Sequence, residues 1–317
     1  MATALAASAC TLFRSATASA CLLRALGAVP LTPDHTVGSE VAPVRLRWTM
    51  DDAVGLRAEL APPEFLEEED TPVPLAHQAA PGCCPVVADD ELGDTDSDAR
   101  RQVRLGAVAV PVDDHGNVLL TKRPRSMRTF PGAWVLPGGV IDATDASPAH
   151  TALRELAEET GITATVGQCE PSILGMWESA FPVSADEWRE ARREGRRVAH
   201  TLISFVVVHL DATDAGRLVK LEPGECECAC WVPLDDVANA LCSEGAAAPT
   251  TYPQAPSAAQ AVEPLPPVPS ASLAGVYPNE LGEGIGRGHL WALRLLAQRG
   301  LRPPTALPHG RDEEGRR

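Results

Sequence analysis

From residue 103 onward the chain alternates in a regular way. Leu105, Ala107 and Ala109 with interleaved valines predict a strand from Val103, Asp113 to Asn117 reads as a turn, and Val118 to Lys122 returns as a second strand. Another strand ends at Val135 and Leu136, before Pro137-Gly138-Gly139. Ser147 and Pro148 stand in helix-cap and first-turn positions, and the helix they open runs to Thr160 and stops at Gly161. Ile173 to Trp177, Thr201 to Leu210 and Cys226 to Val232 read as strands, followed by a short helix from Leu234 to Cys242. Near the end, Leu290, Leu293, Leu296 and Ala297 share one face of a helix closed by Gly300, which is expected to pack back on the main domain. Strands outnumber helices and are mixed with them, so an α+β layered domain is expected.

The flanks read differently. Residues 1–102 form an irregular N-terminal region with acidic loops at Glu64 to Asp70 and Asp89 to Asp98. Its first 33 residues hold Arg14, Arg24 and no acidic residue, a composition that suits an organellar transit peptide or, through Leu22, Leu23 and Leu26, a short native helix. Residues 243–272 contain seven prolines, eight alanines and two charges, too little apolar bulk for a core, and are expected to be a linker. The remaining divisions are a domain at 103–242, a helical element at 273–304 and a tail at 305–317.

Composition bounds the function. The 317 residues carry 27 Lys plus Arg against 43 Asp plus Glu, a formal charge of −16, which argues against general adherence to nucleic acid or anionic membrane. No apolar run approaches the ~20 residues of a bilayer-spanning helix, so a soluble protein with no membrane partner is expected. Nine cysteines without a regular framework suit a reducing compartment, hence a cytoplasmic location, or a mitochondrion or plastid if residues 1–33 are a transit peptide. Cys226, Cys228 and Cys230 are expected to face one side of a strand as small buried side chains. The oligomeric state is open.

The chemistry concentrates in Arg154-Glu155-Leu156-Ala157-Glu158-Glu159-Thr160-Gly161-Ile162. On a helix Glu155, Glu158 and Glu159 stand at i, i+3 and i+4, which places three carboxylates on one face. Their mutual repulsion calls for a cation, and hard oxygen ligands favour Mg²⁺ or Mn²⁺. Such an ion neutralises phosphate oxygens and acidifies a bound water, while Arg154 orients a carboxylate.

These residues resemble the Nudix box, G-x5-E-x7-R-E-U-x-E-E-x-G-U, where U is a bulky aliphatic residue. The second half matches at every specified position from Arg154 to Ile162; in the first half Asp145 stands for Glu and eight residues rather than seven precede Arg154. The resemblance implies a mixed sheet between helices and metal-dependent hydrolysis of a nucleoside diphosphate linked to another moiety. It further implies Gly139, Glu155, Glu158 and Glu159 as metal ligands, with Glu155, Glu158 and Arg154 in the catalytic machinery. Within the family, Leu120-Thr121-Lys122-Arg123, Trp134, the run Leu174 to Pro182, Glu225 and Trp231 are similar to the nucleoside diphosphate-linked moiety X motif 17 group, for which capped RNA ends are a substrate type. The alternatives are a coenzyme A diphosphatase, whose box often carries the same insertion, and a nucleotide- or RNA-binding module without turnover. Trp177 as a base-stacking platform, Glu178 as a base-edge acceptor, Glu225 as an extra carboxylate near the metal, and Arg123 are the candidate substrate contacts. Arg189, Arg192, Arg193, Arg196 and Arg197 could hold polyphosphate, but Asp186, Glu187, Glu190 and Glu194 are interleaved with them, which favours a helix with internal ion pairs.

Overall fold

The protein is described from a computed structural model. It describes residues 10–13, 15–17, 22, 32–34, 39–51, 55–61, 72–78, 102–164, 172–182, 184–196, 198–210, 219–236 and 276–300. Thirteen strands and three helices are defined within them. The strands are β1 (Cys10–Phe13), β2 (Ser15–Thr17), β3 (Thr32–Asp34), β4 (Ser39–Asp51), β5 (Gly55–Ala61), β6 (Val73–Gln78), β7 (Gln102–Asp113), β8 (Asn117–Lys122), β9 (Trp134–Val135), β10 (Gly138–Val140), β11 (Ser172–Phe181), β12 (Ala199–Leu210) and β13 (Cys228–Pro233). The helices are α1 (Pro148–Thr160), α2 (Ala185–Arg193) and α3 (Arg287–Arg299).

The strands form one mixed sheet ordered β1-β5-β4-β6-β11-β12-β7-β8-β13, with β2 and β10 paired to β7, β3 to β4 and β9 to β8. At its centre β12 runs parallel to β7 over eleven register pairs from His200↔Val103 to Leu210↔Asp113. Parallel central strands are covered on both faces, so Phe205 to Val208 form a continuous buried apolar run rather than an alternation. Each face has its own core. Leu105, Ala107, Ala109, Met176 and Leu202 pack with Ala152, Leu153 and Leu156 of α1, whereas Val108, Val110, Trp177, Phe205 and Val207 pack with Leu290, Trp291, Leu293 and Leu296 of α3. The sheet is therefore held between helices, as expected, and the final helix does pack back on it.

The described stretches of the N-terminal region are strands, not irregular chain. In β4, Val44, Leu46, Trp48 and Met50 alternate with Arg45, Arg47 and Thr49, and the strand pairs with β5 on one side and β6 on the other. Through β6, parallel to β11, this region continues the same sheet. Within residues 1–33, β1 pairs with β5 and β2 with β7, and Leu22 is buried; Leu23 and Leu26, read as part of a short helix, lie outside the described residues. Outside them too lie the acidic stretches Glu64 to Asp70 and Asp89 to Asp98, the expected linker 243–272, the tail 305–317 and the end of the expected helix beyond residue 236. Cys226 precedes β13 in a turn rather than continuing the strand with Cys228 and Cys230. No helix among the described residues is long and apolar enough to cross a membrane.

Candidate functional site

Helix α1 begins and ends as its caps dictate. Ser147 Oγ accepts the His150 amide at 3.1 Å, Pro148 occupies the first turn, and Gly161 takes the left-handed conformation, φ +72°, donating its amide to Ala157. Leu153 and Leu156 fix the rotation of the helix against β7, which turns Glu155 and Glu159 toward the Pro137-Gly138-Gly139 turn. The Gly138 amide donates to Glu159 Oε1 at 3.2 Å. Glycine is required at both positions of the turn. A Cβ on Gly138 would stand 2.6 Å from the Ala107 carbonyl oxygen and the Val108 Cα, and one on Gly139 would have the Glu155 carboxylate within 2.7 Å.

A second segment is clipped to the end of α1. The Lys220 and Glu222 amides donate to the carbonyls of Thr160 and Glu159 at 2.8 and 3.1 Å, which carries the following turn to the site. Cys226 Sγ there contacts Glu159 Oε2 at 3.5 Å, and the exposed Glu225 adds its charge to the field of Glu155 and Glu159. Burial pushes the Glu159 carboxyl up to about 7 against the lowering hydrogen bonds from Gly138 and Cys226, with Glu155 and Glu225 pushing further up. Burial also raises Glu155, partly offset by Arg154. The neighbouring Glu159 and burial together push the Cys226 thiol far above its ordinary value, burial first, so it stands in the site as a neutral donor.

Arg154 is the hub of the outer rim. Its Nη1 donates to Glu155 Oε1 at 2.8 Å and Glu158 Oε2 at 3.0 Å, while Nε and Nη2 fork onto Asp145 Oδ1 and Oδ2 at 3.2 and 3.0 Å. Asp145 is itself buried and accepts from the Asp142 amide at 2.9 Å and Thr151 Oγ1 at 2.8 Å. Burial opposes its ionisation, but the bonds from Arg154, Asp142 and Thr151 hold its carboxyl below its ordinary value. The bond to Asp145, ahead of the charges of Glu155 and Asp145, holds Arg154 charged. The shortened acid and the extra residue of the box thus meet in a turn that still delivers a carboxylate to Arg154.

The three glutamates do not share one environment. Glu155 and Glu159 line the inner side, and Glu158 lies at the exposed edge on Arg154. Among the described residues no three acidic, histidine or cysteine side chains already converge on a single cation position. The donor set nevertheless fits a hard divalent ion: carboxylate oxygens crowded at the turn, two of the acids raised by burial and mutual repulsion, and a glycine backbone with no Cβ between it and Glu155.

The other candidates separate. Arg123 is partly buried, hydrogen-bonded to Thr129 and close in charge to Glu159, Glu225 and Tyr277; burial lowers its pKa. Trp177 and Glu178, adjacent on β11, point to opposite faces of the sheet. Trp177 packs at 5.9 Å from Trp291 and forms part of a cavity wall. Glu178 is no base-edge acceptor at that cavity: it is buried on the α1 face, where it accepts the Leu22 amide at 2.8 Å and bonds His200 Nε2 at 2.7 Å. Burial opposes its charge, yet His200, Leu22 and His77 hold its carboxyl below the ordinary value. The arginine-rich helix α2 and the turn after it are laced together, Arg189 to Asp186 at 2.7 Å and Arg196 to Glu190 at 3.5 Å. Sequence reasoning passes over Cys226 as a neighbour of Glu159, and over Lys122, which is buried and bonded to Glu283 at 2.8 Å from the C-terminal segment. A lysine beside apolar β8 residues is the only local trace of that pair.

The central part of the chain is similar to known proteins. The NUDIX domain family matches residues 102–252. The m7GpppN-mRNA hydrolase NUDT17 of Xenopus laevis is 33% identical over 135 residues, 43% of this chain and 42% of that protein. The uncharacterized Nudix hydrolase NudL of Enterobacter sp. (strain 638) is 45% identical over 65 residues, 20% of this chain and 34% of that protein. A solved MutT protein from Methanosarcina mazei Go1 aligns with a TM-score of 0.31 and 26% identity over 43% of this chain and 80% of that one. The chain spans about half the length of the curated NUDT17 relatives it matches. The R-E-x-x-E-E helix and its Gly-Gly turn, assembled as described, lie within the stretch 102–252 that matches the NUDIX domain family.

Proposed function

We propose that the protein hydrolyses a phosphoanhydride bond in a nucleoside diphosphate linked to another moiety, with capped RNA ends as the substrate class. The observation that carries this is the pairing of Glu155 and Glu159 with the Gly138-Gly139 turn, braced from outside by Arg154. The names of the NUDT17 relatives support the substrate class.

Mg²⁺ or Mn²⁺ would be held by Glu155, Glu158, Glu159 and the Gly139 carbonyl. When bound, such an ion neutralises phosphate oxygens and activates water for attack at phosphorus. The rest is the work of the chain. Arg154 fixes the orientation of Glu155 and Glu158 through one nitrogen, and Asp145 holds that guanidinium from behind. Gly138 presents its amide to Glu159 Oε1 and Cys226 its thiol to Oε2, so the most buried of the three helix glutamates keeps one geometry. Arg123, in the electrostatic field of Glu159 and Glu225, would meet the substrate's phosphates.

The test is a panel of methylated capped RNA, coenzyme A, reduced NAD and ADP-ribose in Mg²⁺ and in Mn²⁺, with product masses read out. Capped RNA should be turned over and Glu159→Gln should abolish turnover of every substrate. Preferred coenzyme A cleavage would overturn the substrate class, and full activity of Glu159→Gln would overturn the site. Ligand uptake without any product would leave a binding module.

A further inference from the structure

The stretch that leads into the Gly138-Gly139 turn is held by a segment from the far end of the chain. Strand β9 pairs with β8 at Thr121↔Val135 and Lys122↔Trp134, and it also meets residues 276–289. The Trp134 amide donates to the Gly284 carbonyl at 2.8 Å, the Gly286 amide to the Trp134 carbonyl at 2.9 Å, and the Leu136 amide to His289 Nδ1 at 3.0 Å. Beyond Leu136 the partners change. The Pro137 carbonyl accepts the Ala109 amide of β7 at 2.8 Å, and the Gly138 amide donates to Glu159 Oε1 on α1 at 3.2 Å. The approach to the turn therefore rests on the C-terminal segment as far as Leu136, and on β7 and α1 from there on.

Glu283 sets the register of that segment. Its buried carboxylate accepts Lys122 Nζ at 2.8 Å and also Arg125 Nη2. Asn279 shapes the turn that presents it, Oδ1 accepting the Leu281 and Glu283 amides at 3.0 and 2.9 Å. A buried ion pair adds little net stability over apolar packing of the same volume, but it discriminates sharply between registers. A slip of residues 276–289 along Trp134 would separate two buried charges, so one pairing is favoured over its neighbours.

Lys122 gives Glu283 a second route to the acids. Its Nζ lies 3.6 Å from Glu227 Oε1, and its carbonyl accepts the Glu227 amide at 2.8 Å. Glu227 follows Cys226, whose thiol meets Glu159 Oε2 at 3.5 Å. Both oxygens of Glu159 are thus bonded by groups within two residues of a contact that Glu283 or its segment makes: Gly138 after Leu136, and Cys226 before Glu227, which Lys122 holds.

We propose that Glu283 is a positioning residue for the hydrolytic site. It locks residues 276–289 against Trp134 and Leu136, and through them and Lys122 it fixes the Gly138 amide and the Cys226 thiol on Glu159. The proposal rests on the phosphohydrolase reading. It is tested on the full chain with Glu283→Gln, which keeps the size of the side chain and removes its charge. Residue-by-residue amide hydrogen exchange is measured without metal or substrate, and steady-state kinetics on the best substrate of the panel in Mg²⁺, well below the variant's Tm. Exchange at Trp134, Leu136 and Gly138 should quicken by about tenfold more than at Val206 and Val207 in the centre of β12. With it kcat should fall by about tenfold while KM stays within about threefold. If Glu283→Gln does not fold, Lys122→Met carries the same two measurements from the other half of the pair. Glu280→Gln, an exposed acid of the same segment, should change neither. Exchange that rises evenly across the domain, kcat unchanged beside a local rise, or an equal loss in Glu280→Gln would overturn the proposal while the phosphohydrolase reading stands. A wild-type protein that turns over nothing on the panel would instead remove that reading, and the role of Glu283 in hydrolysis with it.

Discussion

Adjacent glycines in the turn should separate geometry from stability when each is replaced by alanine. At Gly139 the added methyl meets the Glu155 carboxylate, the far end of a side chain that can retreat. Ordinary carbon–oxygen contact lies well beyond the 2.7 Å available, so the carboxylate must withdraw by on the order of 1 Å, and a displacement of ~1 Å at reacting groups costs about 10²-fold in rate. That is about 2.7 kcal/mol of transition-state stabilisation, with little loss of folding stability. At Gly138 the methyl meets backbone, the Ala107 carbonyl and Val108 Cα at 2.6 Å, and the pairing of β10 with β7 must shift. Overpacking of this kind costs typically 1–3 kcal/mol. For a domain of this size that lowers Tm by roughly 2–12 °C, at about 2–4 °C per kcal/mol. The assay is kcat/KM on the best substrate of the panel in Mg²⁺, beside a thermal melt of each variant. Gly139→Ala should melt near wild type and be about 100-fold slow; Gly138→Ala should melt early. A Gly139→Ala protein with normal stability and activity within threefold of wild type would refute the placement of Glu155 in the reaction.

Asp145→Asn should weaken the fork on Arg154, a charge-assisted contact worth roughly 1.5–3 kcal/mol, and lower both Tm and kcat, while Asp145→Glu, which keeps the charge, should recover part of each; melts and steady-state rates measure this. His289 gives a pH signature. Its folded pKa, about 3, lies below the ordinary 6.5, so between those values the unfolded chain binds the extra proton and stability falls as pH falls. The contribution is fully present above pH 6.5, and denaturant unfolding at pH 7 and pH 5 should show wild type losing more stability than His289→Leu, by up to about 1.4 kcal/mol per pH unit; parallel losses in the two proteins would refute it.

The parts of this molecule that a local pattern specifies are the parts legible in its sequence. Helix α1 is bounded by Ser147, Pro148 and Gly161, each of which acts within a few residues of itself, and the observed helix begins and ends where they require. Strands β7, β8 and β12 follow from apolar runs between turn residues, and α3 from leucines at helical spacing closed by Gly300. In the N-terminal region, β4 carries the same kind of alternation from Val44 to Met50, but acidic stretches and a biased first 33 residues draw a composition-based reading toward irregular chain. Composition averages over the period-2 pattern that makes the strand.

The site divides along the same line. Glu155 and Glu159 are separated by one helical turn, so their common side is a local fact. Glu158, three residues from Glu155, was equally entitled to that face by spacing; its place at the rim is set by the bond to Arg154, and Arg154 in turn by Asp145 across the insertion. Cys226 reaches Glu159 because the Lys220 and Glu222 amides clip a loop to the end of α1, a contact across more than sixty residues. Trp177 and Glu178 differ by one residue and hence by the whole thickness of the sheet; only the pairing of β11 with β6 and β12 decides which of them meets α3 and the cavity. The cavity itself joins Phe130, Trp177 and His289, which come from three stretches far apart in the chain. Short-range chemistry therefore specifies the carboxylate helix and its turn, whereas the Cys226 contact and the cavity wall are set by long-range closure of the fold, where the helix motif has nothing to say.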